Sequence, residues 1–207
     1  MKLLEIQSSV RQDKSSSRTL ASKFIYQWRS IHPDAQYDIR DVGENHPALI
    51  NSDWVTANLT PSDQQTEETK ALLSESDILI EELFQADRIV LGVPMYNFGI
   101  PAHLKAYFDN VIRVGRTVQY NRDTATFNGL LTGKKALIIS SRAGSYAPGT
   151  PAGAMDFCVS YLQFILNFLG IQDVDYVEVP YQGMGGEMQQ QATEAAIARL
   201  MELAKTW

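Results

Sequence analysis

Three stretches of this 207-residue chain carry side chains whose types and spacing could do chemistry. The first is "SSVRQDKSSSRT", in which Ser9 is followed by Ser15, Ser16 and Ser17, with Arg11, Lys14 and Arg18 between and after them. A phosphate dianion needs several hydrogen-bond donors and gains from the positive end of a helix. Serine hydroxyls and backbone N–H groups gathered where a helix begins meet that need. The basic residues add local positive charge to a chain whose formal net charge is −6. A solvated turn with a single N-capping serine would have the same composition. Neither G-x-G-x-x-G nor G-x-x-x-x-G-K-[ST] occurs in this stretch. Serines, not a glycine-rich wrap, would therefore hold the phosphate, which suits a terminal monophosphate better than a bridging pyrophosphate.

The second stretch is "PMYNFGIP". Prolines at both ends limit backbone freedom, as suits a loop that must present fixed N–H groups. Met95, Tyr96 and Phe98 offer flat or soft apolar contact, and Asn97 offers a donor and an acceptor. The set fits a planar heteroaromatic ring; it also fits a rigid loop whose aromatic residues are core. The third stretch is "SSRAGSYAPG". Small residues and N–H groups from Ser141 to Gly144 can approach the far side of such a ring, and Arg142 can balance negative charge. An ordinary surface turn is the alternative.

These loops need elements to position them. Residues 2–7 read as a strand. "SRTLASKFIYQWRSIH" places Leu20, Phe24, Ile25 and Trp28 on one helical face, with Ser17 as N-cap and Pro33 as the stop. "AQYDIRDV" alternates like an edge strand. Residues 43–62 are polar and rich in Asn, Asp and Pro, and are expected to form an irregular excursion. A helix is predicted over "SDQQTEETKALLSESDILIEELFQA". A buried strand follows in "DRIVLGVP", then a helix opened by Pro101, a hairpin-like insert in "RTVQYNRDTATFNGLLTG" and a second buried strand in "KKALIISS". "GAMDFCVSYLQFILNFLG" is a helix apolar on most of its circumference and ended by Gly170; Phe164 and Phe168 on it are expected in the core or in a dimer seam. "IQDVDYVEVP" is the last strand, and a helix closes the chain. Strand and helix alternate five times, which predicts a doubly wound α/β fold: a five-stranded parallel sheet in the order 2-1-3-4-5 with helices on both faces, as one domain over 1–207. In such sheets ligands bind outside the carboxyl ends of the strands, near the switch point. That rule selects the three loops above, at the exits of the first, third and fourth strands.

At these loops the sequence resembles the FMN-dependent NADH azoreductase and quinone reductase family, in the flavodoxin-like superfamily. The likeness rests on Ser9 with Ser15-Ser16-Ser17, on "PMYNF" before a helix carrying "LKAYFD", on "GLLTGKKALIISSRAG" and on "FLGIQDV". It implies a flavodoxin-like fold, one tightly bound FMN per subunit, NADH as electron donor, and a homodimer with active sites where the subunits meet. It implies that Ser9, Ser15, Ser16 and Ser17 hold the phosphate and ribityl end. Met95, Tyr96, Asn97 and Phe98 would line the isoalloxazine, with Ser141, Arg142, Ala143 and Gly144 along its opposite edge. Tyr120, in the insert, would wall the partner subunit's cavity, or would simply be an exposed aromatic. The family pattern Ser-Arg-Gly-Gly reads Ser-Arg-Ala-Gly here; if that position needs a positive φ, Ala143 costs on the order of 1 kcal/mol. The implied reaction is ping-pong hydride transfer from NADH through FMN to quinones or azo compounds, with the flavin carrying the chemistry and no side-chain catalyst.

A flavodoxin-type electron carrier, a flavin-binding sensor without turnover, and a phosphate-ester hydrolase are the rival readings. The last lacks an evident base or metal. His32, His46 and His103 are scattered and Cys158 is the one cysteine, so no metal set and no disulfide are expected. The acidic balance disfavours nucleic acid and anionic membranes. No signal peptide is read at the start, the apolar helix is too short to span a bilayer, and the cytoplasm is the expected location.

Overall fold

Leu3 and Leu4 are adjacent in sequence and both fully buried. Neighbouring strand side chains point to opposite faces, so both faces of this strand must be covered. The computed structural model describes residues 1–207, and its elements run β1 (Lys2–Gln7), α1 (Ser16–Ile31), β2 (Gln36–Asp41), α2 (Ser52–Leu59), α3 (Glu67–Gln85), β3 (Arg88–Pro94), α4 (Ala102–Val111), β4 (Val118–Asn121), β5 (Thr126–Gly129), β6 (Lys135–Ser141), α5 (Phe157–Phe168), β7 (Asp173–Val179) and α6 (Gly186–Ala204). Five strands form one parallel sheet in the order β2-β1-β3-β6-β7. Counting sheet strands alone, that is the expected 2-1-3-4-5.

One core lies on the face that carries Leu4, Ile6, Leu91 and Ile138, packed with residues of α3, α4 and α5. The other lies on the face of Leu3, Val90, Leu137 and Val177, packed with α1 and α6. The side chains of α1 that enter it are Leu20, Ala21, Phe24, Ile25 and Trp28, the spacing of one helical stripe. Trp28 and Phe24 both meet the ring of Trp207 edge-on, at 6.2 and 5.2 Å between centroids. Trp207 thereby closes this core, and each such aromatic contributes about 2–3 kcal/mol by burial.

Three local expectations are corrected. The N-cap of α1 is Ser15, whose extended backbone (φ −93°, ψ 120°) and hydroxyl accept the start of the helix; Ser17 is already helical. The 43–62 segment is not wholly irregular. Asn51 accepts from the Trp54 N–H at 2.9 Å and starts α2, and Trp54 and Ala57 then pack on Leu73 of α3. The long helix begins at Glu67, capped by Thr66, rather than at Ser62. The insert is the antiparallel hairpin β4–β5, fastened to the end of α5 by the Leu131 N–H donating to the Leu169 carbonyl at 2.9 Å. Gly170 follows that helix with φ +101°, and a Cβ there would stand 2.8 Å from the backbone of Gly129. Only glycine meets both conditions. No helix is long and apolar enough to cross a membrane.

Candidate active site

β3 and β6 stay in register to their last residues, Pro94 opposite Ser141. The Met95 N–H extends the pairing to the Ser141 carbonyl at 2.8 Å. β1 leaves the sheet beside them, where the Ser8 N–H and hydroxyl both donate to the Gly92 carbonyl at 3.1 and 3.0 Å. The three loops therefore open at one edge, around a cavity of about 160 Å³. Ser9, Ser15, Ser16, Met95, Tyr96, Ser141, Arg142 and Ala143 line it, so eight of the twelve expected cofactor residues meet there.

The serine end has a defined hydrogen-bond logic. The Ser15 hydroxyl accepts from the Arg18 N–H at 3.4 Å and lies 3.1 Å from the Ser17 hydroxyl. Ser17 is buried. The Ser16 and Ser17 N–H groups are the first two of α1 and have no acceptor within the helix. Of the three basic residues around this loop, only Arg18 is ion-paired: it grips Asp41 at 2.5 Å and turns away from the cavity. Arg11 lines the cavity instead.

The middle loop is a two-residue turn. Tyr96 and Gly99 exchange backbone hydrogen bonds, 3.0 Å each way, and Asn97 and Phe98 between them have φ of 48° and 71°. Two successive left-handed residues define a type I′ turn, which asparagine tolerates and phenylalanine resists by roughly 1 kcal/mol. The turn leaves the N–H groups of Asn97 and Phe98 without a protein acceptor. The Phe98 ring meets the Tyr146 ring edge-on at 6.2 Å.

The loop after β6 meets the condition set on Ala143 and departs from expectation at Arg142. Ala143 does not adopt a positive φ, so it replaces the family's glycine without left-handed strain. The Arg142 side chain is fully buried and ion-paired with Asp156 at 2.5 Å, so its charge is already matched within the protein. Burial works against that charge, but the hydrogen bond to Asp156 and the neighbouring Tyr176, Asp156 and Glu178 outweigh it and hold the pKa above the usual arginine value. Gly144 lies at the rim beside the Tyr146 ring.

A second, open hollow of about 900 Å³ begins at Tyr96 and Asn97 and runs past Ile100 to Phe157, Tyr161 and Phe164. Phe157 and Phe164 are 63% and 65% exposed. Phe164 is therefore not core, whereas Phe168 is half-buried, stacked on it at 6.2 Å. Tyr120 lies on Phe127 at 4.9 Å between centroids, and Phe127 on Phe168 at 5.7 Å. The Tyr120 ring reaches neither cavity of its own chain. Cys158 is buried, and its pKa is pushed up to about 11 by that burial, which keeps it a thiol. His46 and His103 stack at 4.9 Å, while His32 lies on Trp28.

Two lining residues were missed in the sequence: Pro94, read only as the strand's end, and Gln182. Gln182 follows β7, and its N–H donates to the Arg142 carbonyl at 2.9 Å. The same rule that selected three strand exits, applied to the fifth, would have found it.

A family model described as a flavodoxin-like fold matches residues 1–204. An FMN-dependent NADH:quinone oxidoreductase of Trichormus variabilis is 40% identical, over 99% of this chain and 99% of that protein. The chain belongs to the FMN-dependent NADH:quinone oxidoreductase family. Another member, from a Nostoc species, is 38% identical over 99% of each chain. Among solved structures, an azoreductase from Bacillus anthracis superposes with a TM-score of 0.91 at 22% identity over the whole of both chains, which extends the fold of this oxidoreductase family to that protein.

Proposed function

We propose that this chain is an FMN-dependent NADH:quinone oxidoreductase with azoreductase activity, acting as a homodimer of flavin-binding subunits. The observation that carries the reading is the layout of unused donors along one edge of the sheet. At one end stand the Ser9 and Ser15 hydroxyls, the first N–H groups of α1 and Arg11. These suit a monophosphate. Beside it, Met95, Tyr96, Ser141 and Ala143 line the same cavity, and the next two N–H groups, of Asn97 and Phe98, have no protein acceptor, which suits a flat ring with polar edges. Bound FMN supplies two-electron hydride chemistry between NADH and a quinone or azo compound.

The chain's own residues then bind and orient. Ser9, Ser15 and Ser16 with Arg11 hold the phosphate, and Ser17 fixes Ser15. Met95, Tyr96, Asn97 and Phe98 set one side of the ring, and Ser141, Ala143 and Gly144 the other, where the Ala143 and Gly144 N–H groups stabilise negative charge. Donor and acceptor use one cavity in turn. A second subunit covers the exposed aromatic face of Phe157, Tyr161 and Phe164 and brings its Tyr120 to the first subunit's cavity. The protein works in the cytoplasm, in keeping with a single buried thiol.

Steady-state rates with NADH and benzoquinone test the order of events. Parallel double-reciprocal lines are expected. Intersecting lines would reject the alternating use of one cavity.

A further inference from the structure

The Arg142 guanidinium is fully buried and paired with a carboxylate of the protein itself, and it sits where two sides of the site can be linked. Its Nη1 donates to one carboxylate oxygen of Asp156 at 2.5 Å. The other oxygen of Asp156 accepts from the Cys158 and Val159 N–H groups, 3.0 Å each, and so caps α5. The next residue, Phe157, donates its N–H to the carbonyl of Phe98 at 3.0 Å. A continuous chain therefore runs from Arg142 through Asp156 and the first turn of α5 to the Asn97–Phe98 turn.

The near end is equally fixed. Nη2 of Arg142 donates to the Ser140 hydroxyl at 3.0 Å. Its backbone N–H is bound to Val179 and its carbonyl to Gln182, at 3.1 and 2.9 Å. The guanidinium lies between the rings of Tyr146 and Tyr176, 5.7 and 5.8 Å from their centroids. A planar fork can serve Ser140 and Asp156 together, which a lysine ammonium does less well.

We propose that Arg142 is a positioning residue that, through Asp156, sets the spacing between the Ala143–Gly144 and Asn97–Phe98 turns, and so the fit of the ring between them. This rests on the reading of the site as a flavin site. The two-turn spacing acts on the ring and not on the phosphate, so it affects FMN and riboflavin alike.

The test compares Arg142→Met, Arg142→Lys and Asp156→Asn, reading FMN and riboflavin affinity of the apoprotein, the midpoint potential of bound FMN, and thermal unfolding. Asparagine is itself a good N-cap, so Asp156→Asn removes the charge pair while leaving α5 capped, and it carries the test if Arg142→Met fails to fold. Expected are a tenfold or greater loss of affinity for both flavins and a shifted midpoint potential in Arg142→Met and Asp156→Asn, with Arg142→Lys between them and wild type. Affinities within twofold of wild type and an unmoved potential in Asp156→Asn would overturn the proposal, whatever happens to the melting temperature. A wild-type apoprotein that takes up no FMN would sink the flavin reading and this proposal together; failure confined to the variants sinks this proposal alone.

Discussion

Arg18 holds Asp41 with two guanidinium nitrogens, at 2.5 and 2.6 Å, while its Nε and Nη2 both donate to the carbonyl of Ser9, at 2.9 and 2.6 Å. The arginine that by sequence could have served a phosphate is instead the bracket that fixes the start of the serine loop against the end of β2. Asp41 also accepts from the N–H groups of Gly43 and Glu44, so the bracket organises two loops at once. Both side chains are only about one-seventh exposed, 14% and 15%, so losing one strands the other. Arg18→Met is expected to cost about 2–3 kcal/mol in urea unfolding of the apoprotein. A loss below about 0.5 kcal/mol would show that the bracket is not structural.

Arg11 has the opposite role. It is exposed, lines the cavity and pairs with no carboxylate. Arg11→Ala should leave unfolding within about 0.5 kcal/mol of wild type. It should weaken FMN about tenfold, the effect of one hydrogen bond to a charged group, while riboflavin, which lacks the phosphate, binds as before. Titration of the apoprotein with both flavins checks this; equal losses for the two would remove Arg11 from the phosphate.

Phe98 holds a left-handed backbone with φ 71°. Phe98→Gly relieves that strain and should raise stability by up to about 1 kcal/mol, seen as a higher melting temperature of the apoprotein. The same change removes an aromatic side chain from the proposed ring site and should lower turnover with NADH and quinone. A variant that is both less stable and fully active would contradict the assignment.

Glu5 gives the pH prediction. It sits under α1, 2% exposed, bonded to Tyr37 and Gln7. Burial raises its pKa, and the hydrogen bonds from Tyr37 and Gln7 only partly offset that. A carboxyl whose folded pKa lies above its unfolded value binds more protons in the folded state. Its contribution is fully present below the unfolded pKa and is lost as pH rises through the folded one. Glu5→Gln should therefore stabilise the protein more at pH 7 than at pH 4. Melting temperatures of both proteins across that range decide it, and a gap that widens toward acid would reverse the sign.

Much of the fold was legible because strand and helix differ so plainly in period, and because buried runs such as "RIVLGVP" leave few alternatives. The meeting of the loops was legible: the strand-exit rule selected segments that converge around one cavity. Individual side chains were harder to read. Arg18 and Arg142 look like ligand cations in sequence, and only the positions of Asp41 and Asp156, 23 and 14 residues away, turn them inward. Ser15 and Ser17 are both adequate caps by type, and the choice depends on where the short 3₁₀ turn at Gln12–Lys14 releases the chain. The eight-residue α2 is too short for its periodicity to register, although Asn51 was a usable signal.

The central claim is that the edge built by Ser9, Ser15, Met95–Phe98 and Ser141–Gly144 seats a redox-active flavin. Anaerobic visible spectroscopy of the purified, FMN-reconstituted protein tests it most directly. The account predicts flavin absorption that NADH bleaches and a stoichiometric quinone restores. A protein that stays colourless after reconstitution, or a bound flavin that NADH leaves oxidised, would contradict it.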